Sequence, residues 1–253
     1  MTTIASPGWI HRLTPAGGAA VRLYCFPFAG GSASAYRPWA ALFPPDVELA
    51  AVQLPGRQER YSEPAVTDLR SLVPDISRAI AADLDGRPYG LYGHSMGTIL
   101  AYEVAVELAR AGAAKPELLA VSGRRAPHAV DPDFVPYHQM PDEAFLHKIE
   151  ALGGIAPELA EHRDLLDLML PVLRADFTAV ETYQARPQEP LVCRILVFSG
   201  DADPHAPRDG LERWRELSTA GTSIHIYPGG HFFLWEHSAD LIARISDTLR
   251  GVG

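Results

Sequence analysis

The sequence has little cysteine, no long apolar run and a shortage of basic side chains. Each shortage excludes something. Two cysteines, Cys25 and Cys193, cannot make a disulfide framework, and neither CxxC nor HExxH occurs, so no structural or catalytic metal is expected. Both cysteines sit in apolar, strand-like runs and read as reduced core residues. No apolar stretch approaches the roughly 18 residues of a membrane span, so no membrane partner is expected. The stretch Met1–Pro15 has no charged region followed by an apolar one, so no signal peptide is expected and the location is read as cytoplasmic. Lys and Arg number 22 against 31 Asp and Glu, a net charge of −9. Nucleic acid as a partner would require a basic face, so none is expected.

What is present is an ordinary globular balance, 47% hydrophobic and 21% charged residues, over a length that suits one large domain spanning residues 1–253. Short apolar runs alternate with longer amphipathic stretches. The runs at Val21–Phe26, Val47–Gln53, Tyr89–Tyr92, Glu117–Ser122, Val192–Ser199 and Ser223–Tyr227 predict strands, with a further short strand near Trp9–Leu13. Most are apolar throughout rather than alternating, which suits strands covered on both faces. Helical spacing predicts helices at Thr67–Leu84, Ser95–Ala111, Leu211–Leu217 and Ser238–Leu249. The fold class is therefore α/β, a mostly parallel sheet flanked by helices.

One region breaks the alternation. Asp131–Tyr183 offers no strand. Phe145, Leu146, Ile149 and Leu152 have helical spacing, as do Leu165, Leu166, Met169, Leu170 and Leu173. Pro171 should kink or split the second of these helices. The region, taken as residues 131–185, reads as a helical lid inserted in the domain, with ordinary crossover helices as the plainer alternative.

The chemistry begins at Gly93-His94-Ser95-Met96-Gly97, a G-x-S-x-G between a predicted strand and a predicted helix. That context is what a strained strand-to-helix turn needs in order to present a serine nucleophile. Ser95 then requires a base. Of ten histidines, His231 lies on a glycine-rich loop just past the last strand; His94 should pack away from the site, His205 should be at the surface, and His237 should cap or face solvent. The acid should follow the penultimate strand, where Asp203 is favoured and Asp201 is the alternative. The order Ser, Asp, His is that of α/β-hydrolases. Two N–H donors are needed for an oxyanion. Met96 follows the nucleophile, and Ala29 lies on the Gly-rich loop after the first long strand, with Phe28 as the neighbouring alternative and a candidate substrate contact.

Beyond this set, FPFAGGSASAY (Phe26–Tyr36), QLPGRQER (Gln53–Arg60), SGRRAPH (Ser122–His128), LPVLRADFTAVETY (Leu170–Tyr183) and GGHFFL (Gly229–Leu234) give the chain a resemblance along nearly its whole length. It resembles the type II thioesterases, discrete editing hydrolases that accompany polyketide synthases and nonribosomal peptide synthetases. Thr98 departs mildly from the pattern, where alanine is commoner. The resemblance implies hydrolysis of acyl thioesters on the phosphopantetheine arm of acyl or peptidyl carrier proteins. The arm belongs to the substrate, so no cofactor of the enzyme is implied. Phe145, Leu146, Ile149, Leu165 and Met169 then become candidate lid contacts to the acyl chain, with core packing as the competing role. Arg57, Arg60, Arg124 and Arg125 form either a positive docking rim or scattered ion pairs, and Arg174 with Asp176 a helix-packing ion pair. A monomer is expected. A general carboxylesterase or lipase, an acyltransferase and a non-catalytic carrier-binding protein are the competing readings.

Overall fold

The computed structural model describes residues 8–14, 17–155 and 162–251. Part of the stretch read for a signal peptide and residues 156–161 of the expected lid lie outside the described residues. The strands are β1 (Ile10–Arg12), β2 (Val21–Phe26), β3 (Val47–Val52), β4 (Tyr89–His94), β5 (Leu118–Ser122), β6 (Arg194–Gly200) and β7 (Thr222–Tyr227). They form one sheet in the order β1-β3-β2-β4-β5-β6-β7. β1 runs antiparallel to β3; the other neighbours are parallel.

Every residue of β2, β3, β4 and β5 is buried, which explains their largely apolar character; the charged Arg22 and Glu48 among them pair with each other at 2.8 Å. Alternation along each strand divides the core in two. Tyr24, Phe26, Leu91, Leu119 and Val197 point to one face, where they meet α1 (Leu69–Asp83) and α2 (Met96–Arg110). Leu23, Cys25, Leu118, Ala120 and Phe198 point to the other, against Tyr36, Trp39 and α5 (Ser238–Leu249). Cys25 and Cys193 are buried and unlinked. α1 starts where the Asp68 side chain accepts the Arg70 N–H at 3.0 Å, and it buries Leu69, Leu72, Val73, Ile76 and Ile80. α2 is buried nearly all round because it lies between the sheet and α1.

The strand order reverses between β2 and β4. β3 is laid to one side of β2, and β4 and its successors to the other. Such a switch point opens a crevice beyond the carboxyl ends of the strands. The loop after β2 and the turn after β4 therefore stand side by side, with Phe26 in register with Gly93.

Between β5 and β6 come α3 (Asp142–Ala151) and α4 (Arg163–Glu181). α4 continues through Pro171, so the expected split does not occur. The proline lacks a donor for the Asp167 carbonyl. The turns that follow are held by burial of Leu173, Ala175, Asp176, Ala179 and Val180, whereas Leu165 and Leu168 before it are exposed. Leu165 is therefore no acyl-chain contact.

A Cβ added at Gly97 would stand 2.3 Å from the Phe26 carbonyl oxygen, while one at Gly17 meets nothing within 4 Å. Gly97→Ala should destabilise the protein by about 1–3 kcal/mol through this backbone clash, and Gly17→Ala by less than about 0.5 kcal/mol. Urea midpoints at unchanged slope would show it; equal shifts for the two variants would contradict the packing described.

Candidate active site

β4 ends at His94 and α2 starts at Met96, leaving Ser95 as the turn between them. Its backbone is at φ 54° and ψ −115°, a region that side-chain-bearing residues seldom enter. The flanking glycines permit the turn. A Cβ on Gly93 would lie 2.0 Å from the Gly97 carbonyl oxygen. The strained backbone is pinned by the Ser95 N–H, which donates to Ser122 O at 2.8 Å. Thr98 adds a second pin. Its Oγ1 lies 2.8 Å from Gly93 O and 2.9 Å from Ser122 O, and accepts the Ser122 N–H at 3.1 Å. The Thr98 hydroxyl thus joins the ends of β4 and β5.

The acid and base loops are packed just as closely. A Cβ on Gly200, at the end of β6, would meet Gly229 O at 2.3 Å and Gly230 O at 2.4 Å. This approach brings Asp203 Oδ2 to 2.8 Å from His231 Nδ1, both side chains buried. A carboxylate only accepts, so His231 Nδ1 carries the proton and Nε2 is the basic nitrogen. Asp203 Oδ1 accepts the His205 N–H at 2.9 Å, which fixes the carboxylate plane. Asp201 is exposed, and its Oδ1 accepts the Gly229 N–H at 3.0 Å. It shapes the base loop without touching the imidazole.

Ser95 and His231 line one cavity with Phe28 and Ala29 from the loop after β2, and with Ile149, Leu152, Phe177 and Val180 from the inserted helices. The backbone bonds of the two turns, Gly31 N–H to Phe28 O and Thr98 N–H to Ser95 O, use neither the Ala29 nor the Met96 N–H. Met96 itself points into the core, 1% exposed, so its backbone is what it can offer the site. A strained serine at a helix N-terminus, an imidazole oriented by a buried carboxylate and two N–H groups that bond no partner among the described residues can together support acyl transfer through a covalent intermediate.

Several sequence-based expectations are corrected here. Phe145, Leu146 and Met169 are not on the cavity wall; they pack with Ile155, Leu166 and Leu173 in a core between the inserted helices. An apolar stripe wide enough to serve both packing and substrate does not reveal which residues do which. His94 packs away from the cavity lining, as expected. It is fully buried, with Nδ1 3.0 Å from Ser122 Oγ and its ring centroid 4.9 Å from that of His231. Burial, reinforced by His231, holds its pKa well below the ordinary imidazole range. His205 is half-buried on the cavity wall, 5.2 Å from the His231 ring, and burial pushes its pKa down to about 3. Both rings are neutral at physiological pH, so neither adds positive charge beside His231.

Of the two readings of the arginines, ion pairing describes Arg57, Arg60 and Arg125. Arg57 and Arg60 are buried, the first bonded to Asp176 and the second to Glu63 and stacked 3.9 Å over Trp9. Arg125 pairs with Asp131 at 2.9 Å. Arg124 lines the cavity, reaches Val180 O at 3.5 Å, and is lowered by burial to about 10, so it stays charged. Arg174 and Asp176 do not pair with each other. Arg174 bonds Asp142, on the first turn of α3, and Asp176 faces the opposite way, toward Arg57. Residues two apart on a helix diverge by about 200°.

A parallel sheet carrying these groups beyond its strand ends is the α/β-hydrolase fold. More narrowly, the chain belongs to the thioesterase domain family, whose model matches residues 21–249. It is 39% identical over 241 residues to thioesterase PikA5 of Streptomyces venezuelae, covering 95% of this chain and 85% of that one. It is 35% identical over 242 residues to the gramicidin S biosynthesis protein GrsT of Aneurinibacillus migulanus, covering 96% and 94%. The type II thioesterase BorB from the borrelidin biosynthetic cluster superposes with a TM-score of 0.87 at 35% identity, over 96% of this chain and 98% of that one. No helix among the described residues is long and apolar enough to cross a membrane.

Two predictions follow from the geometry of the acid loop. Asp203→Asn should lower kcat on the order of 10⁴-fold by leaving the wrong imidazole tautomer, whereas Asp201→Asn should cost less than about ten-fold, because Asp201 touches only backbone. Steady-state kinetics on one acyl thioester decides it, and a reversed order would reassign the acid. Separately, His205 is neutral when folded but binds a proton near pH 6.5 when unfolded. Its stabilising contribution is complete above that pH and is lost as pH falls toward 3. His205→Gln should therefore flatten the decline in urea midpoint between pH 7.5 and 5; an unchanged decline would show that His205 is not kept neutral.

Proposed function

We propose that this chain hydrolyses acyl thioesters carried on the phosphopantetheine arm of acyl or peptidyl carrier proteins, releasing stalled or misprimed acyl groups so that the assembly line can resume. The observation that carries the reading is the buried Asp203–His231 pair opening on the same cavity as the strained Ser95, in a chain whose relatives serve such pathways.

Ser95 Oγ attacks the thioester carbonyl carbon while His231 Nε2 takes its proton. Asp203 stays ionised and stabilises the imidazolium through Nδ1–H. The negative charge on the former carbonyl oxygen is bound by the Ala29 and Met96 N–H groups, at the N-terminus of α2 where the helix dipole favours an anion. The carbon–sulfur bond then breaks and the arm leaves as a thiol with the proton held by His231. Water, deprotonated by His231, attacks the Ser95 ester, and the acid departs as the Ser95 hydroxyl is restored. No metal or cofactor enters these steps, and one chain supplies all the groups, so the proposal requires no oligomer. Phe28 and Ile149 hold the acyl chain.

Because the arm and the carrier contribute binding energy away from the reacting carbonyl, they help position it beside Ser95. The expected outcome is a higher kcat/KM for short acyl groups on the holo-carrier than for the same groups on a truncated pantetheine thiol, with loose preference among acyl groups. Equal values on carrier and truncated thiol would remove the carrier from the proposal. Preference for simple oxygen esters would favour a carboxylesterase.

A further inference from the structure

One buried ionic cluster has no part in the steps above, although it adjoins them. Asp176, on α4, is 3% exposed. Its Oδ2 accepts the Gly30 N–H at 2.7 Å and Arg57 Nη1 at 2.7 Å, and its Oδ1 accepts Arg57 Nη2 at 2.8 Å. Arg57, itself 7% exposed, spends its other donors on the same corner: Nη1 also donates to Gly31 O at 2.9 Å, and Nε to Pro55 O at 3.1 Å. Gln53 closes the corner, with Oε1 accepting the Ala33 N–H at 2.9 Å and Nε2 donating to Arg57 O at 3.3 Å. Three chain segments meet here: the loop after β2, the loop after β3 and the second half of α4. Gly30 has a φ of 76°, and a Cβ there would stand 2.3 Å from Leu173 Cδ2 on α4. The helix is thus seated directly on the peptide that follows Ala29.

We propose that Asp176 is a positioning residue for the oxyanion donor, with Arg57 as its fixed counter-charge. This rests on the reading of Ala29 as a donor. Asp176 holds the Gly30 N–H, and Gly30 is joined to Ala29, so the carboxylate sets the peptide planes of the loop on which the Ala29 N–H is aimed. The same carboxylate belongs to α4. The seat of that helix and the aim of the donor are therefore one unit, and any opening of the inserted helices that spares the oxyanion site must occur on the N-terminal side of Pro171.

The choice of an ion pair for this corner supports the role. Buried ion pairs seldom add net stability over apolar residues of the same shape, because desolvation offsets the attraction. What a bidentate guanidinium–carboxylate fork adds is direction, since it fixes the planes of both groups. Direction is what a preorganised oxyanion donor needs: a donor is effective only at the place where charge develops.

The test uses Asp176→Asn, Asp176→Ala and Arg57→Lys in the full chain, each shown to be folded by circular dichroism. The substrate is a short acyl pantetheine thioester. Two ligands are compared: an acyl trifluoromethyl ketone, whose adduct with Ser95 carries an oxyanion, and the matching thioether, which has no carbonyl. The expected result is kcat lower by about 10- to 100-fold, KM within about three-fold, ketone affinity falling in step with kcat/KM, and thioether affinity unchanged. Arg57→Lys keeps the charge but loses the fork, and should show the same pattern more weakly. A folded variant with wild-type kcat and ketone affinity would overturn the proposal. So would equal losses for ketone and thioether, which would show that the cluster only seats the helix. Failure of the hydrolase reading would look different: the wild-type chain itself would neither turn over the thioester nor bind the ketone.

Discussion

The close approach of β2 and β4 is the constraint on which the site depends. The two strands pair in parallel with Phe26 opposite Gly93, and the first turn of α2 is pressed against the end of β2 so tightly that a Cβ on Gly97 would stand 2.3 Å from the Phe26 carbonyl oxygen. The sheet reverses its order at this pair, so their carboxyl ends face a crevice rather than another strand. The serine turn and the Ala29 loop are neighbours for that reason. The second close approach, Gly200 against Gly229 and Gly230, does the same for acid and base at the other side of the crevice. Backbone contact without side chains brings four separate loops together, so that Ala29, Ser95 and His231 line one cavity with Asp203 held behind His231.

Several charges are committed to the interior of the molecule. Arg57 and Arg60 are spent on internal corners, and at the far end of the sheet Arg22 pairs with Glu48, its register partner on β3. Arg124 keeps a positive charge in the cavity while His94 and His205 remain neutral around His231. With a net charge of −9 and these cations turned inward, any attraction to an acidic carrier must come from short-range contact rather than a long-range field.

The periodicity of the sequence revealed the sheet well. The seven predicted strand segments, including the short one near Trp9–Leu13, are present within two residues of their expected bounds, because the inner strands, covered on both faces, are largely apolar. Gly93 to Gly97 was equally legible, since a strained turn admits few residues. What could not be read were partnerships between distant segments. Arg57 and Asp176 are separated by 119 positions, and no spacing rule connects them; LPGR and LRADF were visible as motifs but not as two halves of one contact. The place of His205 on the cavity wall depends on which loops close over it. Phe145 and Ile149 share one helical stripe and both pack in the core between helices, yet Ile149 also meets the cavity and Phe145 does not. Nothing in the spacing around Thr98 announces its bonds to the ends of β4 and β5, which depend on how the two strands lie side by side.

The central claim is that an acyl group passes from a carrier-bound thiol to Ser95 and then to water. Acid-quenched intact-protein mass spectrometry of an acyl-loaded holo-carrier mixed with this chain tests it most directly. The account predicts that the carrier loses the acyl mass, and that at early times the same mass is found on the peptide of this chain that contains Ser95. A carrier whose acyl mass persists, or an acyl adduct on a different residue, would contradict it.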